Sequence, residues 1–416
     1  MHPRLVALAL TLCVLVSTAH TQTLTLRETD DVVGRGIVQI TGVEAGAFVP
    51  DWWENNTLNW VRDERWPLLQ PRPGNKRNIY APSSVEIPGK GFRIFYGGWD
   101  GEDLGKDNIY STTTKDFLEF GDRQAVINHG DFYHICNVNG IRFHNGSYRL
   151  MCTGLPADSN RNKPVVFAST DGKTWNNTQP PYPAKPQDTI TMEGYTDYTN
   201  ADINGMNVQL YEDGKYYIYF GDFRNFGQVH RAVSPDGTHF TYEKPVLDAE
   251  RAVNDVKKFI VGDQPYYLMG LHMNGPRLYY ALSTDGSSFP ATHILFTHNG
   301  PEDRYIVAIG WVTVGDQDKP GRKIIGTLYG AGAIWALDHN RIFARWLQKK
   351  LVFQSDDGLT ITGSSAIGPD RQLLSLGGSS QTGTLHLYAE DGITHLASTR
   401  VELEPETAYQ LNFNPE

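Results

Sequence analysis

Asp100, Asp131, Asp202 and Asp255 each stand beside an apolar stretch, among asparagines, arginines and aromatic residues. Their neighbours in this pattern are Arg77, Asn78 and Trp99, then Asn139, then Asp222 and Arg224, then His272 and Asp303. Carboxylates brought close together repel, so one keeps a proton near neutral pH while another stays ionised. Asn, Asp and Arg side chains form paired hydrogen bonds with hydroxyl groups, and Trp or Phe covers the apolar face of a sugar ring. Such a set suits a polyhydroxylated ligand, with the carboxylates as the acid and base of glycosidic cleavage. Asp202, Asp255, Asp100 and Asp131 are therefore the candidate catalytic groups. Arg77, Asn78, Trp99, Asn139, Asp222, Arg224, His272 and Asp303 are the candidate substrate-binding groups. His129, Asp131 and His134 come nearest to a metal-ligand pattern, but loop histidines are seldom ligands, and no protein metal site is assigned.

Groups so far apart in sequence need a fold that gathers them, and the chain repeats itself. Ser169, Asp171, Gly172 and Trp175 recur as Ser234, Asp236, Gly237 and Phe240, and again as Ser283, Asp285, Gly286 and Phe289. A worn copy precedes them at Ser111, Asp116 and Phe117, and a poorer one follows at Asp338, Asn340 and Phe343. Each reads as a tight turn between strands: Asp accepts backbone N–H groups, Gly takes a positive φ, and the aromatic packs beneath. A second hairpin precedes each turn, at 85–96, 141–151, 208–219, 259–268 and 309–328. Two hairpins in about 55 residues make four strands, the size of a propeller blade. The expected fold is all-β: a five-bladed β-propeller over 70–350. Residues 1–21 read as a leader, 22–69 as an N-terminal rim or closing segment, and 351–416 as a small C-terminal β-module or closing element.

In such a blade the Asp-Gly turns and the first hairpin turns share one face. The opposite face collects the starts of the innermost strands and the ends of the second strands. The candidate carboxylates, asparagines, arginines and aromatics fall on that second face, around one axial mouth; the hairpin face is expected to carry mostly turn residues. No cofactor is required, and one axial Ca²⁺ would fit a channel crowded with oxygen ligands.

Tyr80-Ala81-Pro82-Ser83-Ser84-Val85 opens the first repeat, and the ending Asp213-Gly214-Lys215-Tyr216-Tyr217 and the hairpin Tyr266-Tyr267-Leu268 belong to two later ones. In these stretches the sequence resembles the five-bladed β-propeller glycoside hydrolases, a group of arabinanases, β-xylosidases, arabinofuranosidases and invertase-like enzymes. The resemblance implies an Asp base at the start of the first blade, a supporting Asp in a middle blade and a Glu acid in a later one. Ala81 stands at the position of the base, so Asp100, or Asp51 on the rim, would substitute. Asp202 is the nearest match to the middle Asp, and counting back from Tyr266 places Asp255 at the acid. The chain resembles a divergent member of the group. The Ser-X-Asp-Gly turns also resemble sialidase Asp-boxes, but no arginine triad with a nucleophilic Tyr can be assembled. Ala81 favours the alternative, a non-catalytic, lectin-like carbohydrate-binding propeller.

Composition bounds the remainder. With 416 residues, 41 Gly, 21 Tyr, 18 Phe and 9 Trp but only 20% charged residues, the chain is not disordered or coiled-coil. A formal net charge of −10 argues against a nucleic-acid partner. Arg4, the apolar run at 5–16 and Ser17, Thr18 and Ala19 have the order of a secretory signal. The expectation is a secreted, extracellular or periplasmic monomer with a carbohydrate substrate, no membrane partner and no second apolar stretch able to span a bilayer. Asn145-Gly146 turns a hairpin that sets Cys152 opposite Asn139, so a Cys136–Cys152 disulfide would require a bulge.

Overall fold

The computed structural model describes residues 23–74, 77–101, 106–205, 207–334 and 339–415. The expected leader lies outside the described residues. The chain is almost entirely β, and among the described residues no helix is long and apolar enough to cross a membrane.

The three clear Asp turns form as their residue types require. Ser169, Ser234 and Ser283 each accept the N–H of the glycine three positions on, at 2.7, 2.8 and 3.0 Å. Asp171, Asp236 and Asp285 each take two backbone N–H groups from the residues that follow. The glycines adopt φ of 71°, 79° and 64°, and Trp175, Phe240 and Phe289 are buried beneath. These N–H donors pull the Asp236 carboxyl well below the usual range.

Five meanders follow one another. The first runs Arg77–Ile87, Gly91–Asp100, Asn108–Thr114 and Gln124–Asn128. The second is Phe132–Arg142, Tyr148–Pro156 and Lys163–Ser169. The third is Asn207–Glu212, Lys215–Phe220, Gln228–Ser234 and His239–Asp248. The fourth is Ala252–Val261, Gln264–His272, Arg277–Ser283 and His293–Thr297. The fifth is Tyr305–Val314, Lys323–Gly332 and Arg341–Leu347, completed by Trp60–Asp63 from far upstream. The opening strands pack side by side in chain order, and Tyr305–Val314 returns against Arg77–Ile87. The fold is thus of the propeller type, with those opening strands around its axis.

Two local expectations fail. The second meander has three strands, not four. After its Asp turn the chain carries Pro180, Pro181, Pro183 and Pro186, which cannot donate to an internal ladder. Tyr182–Pro183 and Thr191–Glu193 instead pair along the outer strands of the first and third meanders. The poor turn copy ending at Phe343 does not join a third strand to a fourth. Phe343 lies inside Arg341–Leu347, and the fourth strand is Trp60–Asp63; Asp338 lies outside the described residues.

The N-terminal segment is divided. Thr23–Thr29 and Ile37–Thr41 pair with Thr407–Asn414 and Arg371–Ser375, not with the propeller rim. Their sheet faces a second one of Lys350–Ser355, Thr360–Thr362, Gln381–Tyr388 and His395–Leu403. Val38, Ile40, Leu351, Phe353, Leu374 and Leu385 form the core between them.

Asp63 pins the closing strand. Its buried carboxylate accepts Trp346 Nε1 at 2.7 Å and Gly368 N at 3.0 Å, and pairs with Arg65 at 2.7 Å. Asp63→Ala strands two buried donors and a cation, a loss on the order of 3–5 kcal/mol. Chemical denaturation is expected to show a destabilisation of that size in Asp63→Ala, with Arg62→Ala, at an exposed ion pair, nearly unchanged.

Candidate functional site

Four of the five opening strands carry a distortion. Pairing register shifts between Tyr80 and Ser83, Cys136 and Asn139, Val253 and Asp255, and Ile306 and Ala308. Bulges of this kind re-aim side chains. Ala81 (φ 48°) and Asn137 (φ 51°) take the left-handed conformation there. Ala81, Asn137, Gly205, Asn254 and Ala308 meet around an axial gap of only about 10 Å³.

Just beyond that gap sits Asp255, 1% exposed. Its Oδ1 accepts Asn139 Nδ2 at 3.2 Å and Lys257 Nζ at 2.8 Å, and its Oδ2 accepts the Trp311 N–H at 2.9 Å. Asn139 in turn accepts Gln209 N at 3.2 Å and gives its carbonyl to Gln209 Nε2 at 2.9 Å. The second, third, fourth and fifth meanders are thereby joined through one carboxylate. Asp255 and Asn139 are tied into structure and are not placed as an acid and a sugar-binding amide.

Other sequence candidates are likewise occupied. Asp100 is buried between Arg72 (3.2 Å) and Arg123 (3.3 Å) and accepts Tyr96 OH at 2.8 Å, so it does not substitute for the missing base. Asp303 holds the 299–303 turn through Asn299 N and Gly300 N and accepts Tyr329 OH. Asp222 caps the turn carrying Phe223 and Arg224, taking Arg224 N, Asp202 N and Asn225 Nδ2. Asp131 is exposed and its N–H bonds Ala184 O, against the outer strands rather than the axis. His272 is buried against Asn254 (2.6 Å), and burial lowers it to about 4, so it stays neutral. Asn78 is buried and accepts Asn340 N, Arg77 lies across the ladder from Asp100, and Trp99 is half-buried. Arg224 is exposed, 3.8 Å from Asp197. Cys136 and Cys152 are both buried free thiols. The Cys136–Asn139 bulge is present, but it sets Cys136 opposite Thr153 and Asn139 opposite Met151.

Asp202 remains available. Its Oδ1 accepts Asn162 N (2.9 Å) and Nδ2 (2.8 Å), while its Oδ2 accepts no hydrogen bond among the described residues. Asn162 also meets His134 Nε2 at 3.0 Å. Burial lowers the His134 pKa, against the opposing pull of Asn162 and the Asp202 charge. Two residues on, along the same face of that strand, Cys136 neighbours Tyr80 and Asp107. Asp107 was not singled out from the sequence, where it reads as one more polar residue ahead of a strand. Its Oδ2 accepts Tyr80 OH at 2.8 Å and its buried Oδ1 has no partner. Burial lifts this carboxyl to about 7, against the lowering effect of the Tyr80 hydroxyl. Beside Asp202, Phe223 and Phe226 are exposed and stacked 5.9 Å apart, and Phe223 N bonds Asp202 O.

The hairpin face differs from expectation: it is not merely turns. A cavity of about 1060 Å³ opens there. Glu86, Glu212, Asp213, Asp316 and Asp318 line it together with Arg142, Lys257 and Arg322, leaving an acidic surplus. Residues 315–318 of the fifth meander form part of its lining and reach all four others. Gly315 N bonds Glu86, Gln317 Nε2 bonds Tyr211 O, Asp318 pairs with Lys258 (3.2 Å), and His144 lies 3.9 Å from Asp316.

No family model and no curated protein sequence matches the chain. Solved structures do. One from Parabacteroides distasonis, described as a glycoside hydrolase, superimposes with a TM-score of 0.51 at 12% identity, over 69% of this chain and 96% of its own. A glycosyl hydrolase from Bacteroides ovatus gives 0.50 at 13%, over 72% and 96%. A structure described under the GH130 family of mannoside phosphorylases, containing hydrolases that target β-1,2 mannosidic linkages in Candida mannan, gives 0.50 at 13%, over 72% and 96%. The fold is that of propeller-type glycoside hydrolases. At these identities the likeness extends to architecture.

Two outcomes follow from the buried carboxyls. Asp255→Ala leaves Lys257 without its partner inside the propeller, a loss of about 3–5 kcal/mol measurable by denaturant titration. Asp107 is the opposite case, with its folded pKa raised from 3.8 to about 7. The folded state binds more protons than the unfolded one across that window, so this group's contribution to stability falls as pH rises from 4 to 7. Asp107→Asn is expected to remove that part of the slope in stability measured against pH.

Proposed function

We propose that the protein is an exported glycoside hydrolase built on a five-bladed propeller, acting at the strand-start face with Asp107 as proton donor and Asp202 as the second carboxylate. The observation that carries this reading is the Asp107 carboxyl, lifted by burial to about 7 beside Tyr80, next to the position where the resemblance would place a base. An acid of that pKa is partly protonated at neutral pH and suited to protonate a leaving glycosidic oxygen. Asp202 has an oxygen to offer to water or to the anomeric carbon. The exposed Phe223–Phe226 pair beside it provides an aromatic face of the kind that covers a sugar ring. His134, kept neutral by burial, and Asn162 position Asp202. Export rests on the leader pattern, and carbohydrate as substrate on this chemistry together with the hydrolase neighbours.

The pairing of Asp100 and Asp255 with cations favours a second reading, a carbohydrate-binding propeller without catalysis. One experiment separates the two: the purified protein incubated with a panel of plant, algal and microbial glycans, with product analysis. Hydrolysis is expected on at least one glycan. On that glycan, Asp107→Asn and Asp202→Asn should each lower kcat at least a hundredfold, with the melting transition retained and the alkaline limb near pH 7 absent in Asp107→Asn. Full activity in both variants overturns the assignment of residues, and binding without turnover supports the second reading.

A further inference from the structure

We infer that the axial cavity on the hairpin face is a second carbohydrate site, which holds a neutral oligosaccharide without cleaving it. The inference is independent of hydrolysis at the opposite face, because it rests on different residues.

The cavity, about 1060 Å³, is at the upper end of the roughly 300–1,000 Å³ typical of small-molecule sites, so it has room for more than one sugar ring. It is also chemically equipped. Gln209 lines it while only 2% exposed. The Gln209 amide nitrogen is spent on Asn139 O and Arg149 O, both at 2.9 Å, which leaves its Oε1 as a buried acceptor without a partner. A buried acceptor of this kind is costly unless a donor reaches it. Lys257 and Arg322 also line the cavity, with Lys257 Nζ on Asp255 and the Arg322 guanidinium on Lys258 O and Thr313 Oγ1, and burial lowers Arg322 to about 10. One ligand class both donates and accepts at close spacing: a polyol.

The walls narrow the class further. Phe143, Tyr211 and Tyr216 form one aromatic group, with Tyr211 4.8 Å from Tyr216 and 5.1 Å from Phe143. Such faces take the apolar side of a pyranose or furanose ring. The surplus of carboxylates repels uronate, sulfate and phosphate groups, which favours a neutral sugar over an anionic one. Lys258 holds Glu212 at 2.5 Å and Asp318 at 3.2 Å, so these carboxylates are engaged by a cation and not arranged as an acid–base pair. The 315–318 segment, bonded to Tyr211 O through Gln317, holds the wall beside these aromatic rings.

The test uses the full mature chain and calorimetric titration with neutral hexose and pentose trisaccharides, alongside the same trisaccharides ending in a uronic acid. Saturable binding of at least one neutral trisaccharide is expected, weakened at least tenfold in Tyr211→Ala and in Phe143→Ala and unchanged in Asp107→Asn. The uronate form should bind at least tenfold more weakly. Two aromatic variants keep the result readable if one does not fold, and glycan hydrolysis should persist in both. Three results overturn the inference: no saturation by any neutral trisaccharide at millimolar concentration, full affinity in a folded Tyr211→Ala or Phe143→Ala, or preference for the uronate. Loss of binding in Tyr211→Ala with hydrolysis intact in Asp107→Asn would overturn the hydrolytic assignment and leave this one standing.

Discussion

The molecule is organised around a carboxylate that cannot be left uncompensated. Asp255 lies at the axis with almost no water contact, and it is stable there only because Lys257, Asn139 and the Trp311 N–H converge on it. Lys257 lies on the same strand, but Asn139 and Trp311 come from the second and fifth meanders. The ring must therefore be assembled for the charge to be satisfied, and the charge holds the ring in register. Asn139 extends the same network to Gln209 in the third meander.

This hub also separates two environments. Toward the strand starts, the axis is filled by small groups, with Tyr80, Ala81, Cys136 and Ala308 forming a local apolar cluster. That cluster removes water from Asp107 and raises its affinity for a proton. Toward the hairpins the axis opens into a roomy cavity lined by charges of both signs. The low local dielectric of the first environment is what perturbs the Asp107 carboxyl.

Much of the architecture was legible in the chain because its signals are local. An Asp followed by Gly and an aromatic residue specifies its own turn, since the bonds that form it lie within five residues. The repetition of that turn, with a hairpin ahead of each, was enough to expect a propeller. The second meander departed from the pattern because proline withdrew the donors a fourth strand needs. The closing strand was harder to place: Trp60–Asp63 has no local mark of its partner, and Arg341–Leu347 lies nearly three hundred residues away. The same holds for Thr23–Thr29 and Ile37–Thr41, whose partners are at the opposite end of the chain.

Sequence alone determined which kinds of group the chain could bring to one face of a repeated β fold: carboxylates, amides, guanidinium groups and exposed aromatics. It did not determine their roles, because a carboxylate's function depends on what surrounds it and not on its type. Asp100, Asp222, Asp255 and Asp303 look equivalent to Asp107 and Asp202 in a string of letters. Only the folded chain brings Arg72 and Arg123 to Asp100, Asn139 and the Trp311 N–H to Asp255, the Asp202 N–H to Asp222 and the Tyr329 hydroxyl to Asp303. Only the folded chain buries Asp107 with one oxygen unpaired. Partners from distant segments, added to local ones, decided which acids are held in hydrogen bonds and which one is raised toward neutral pH.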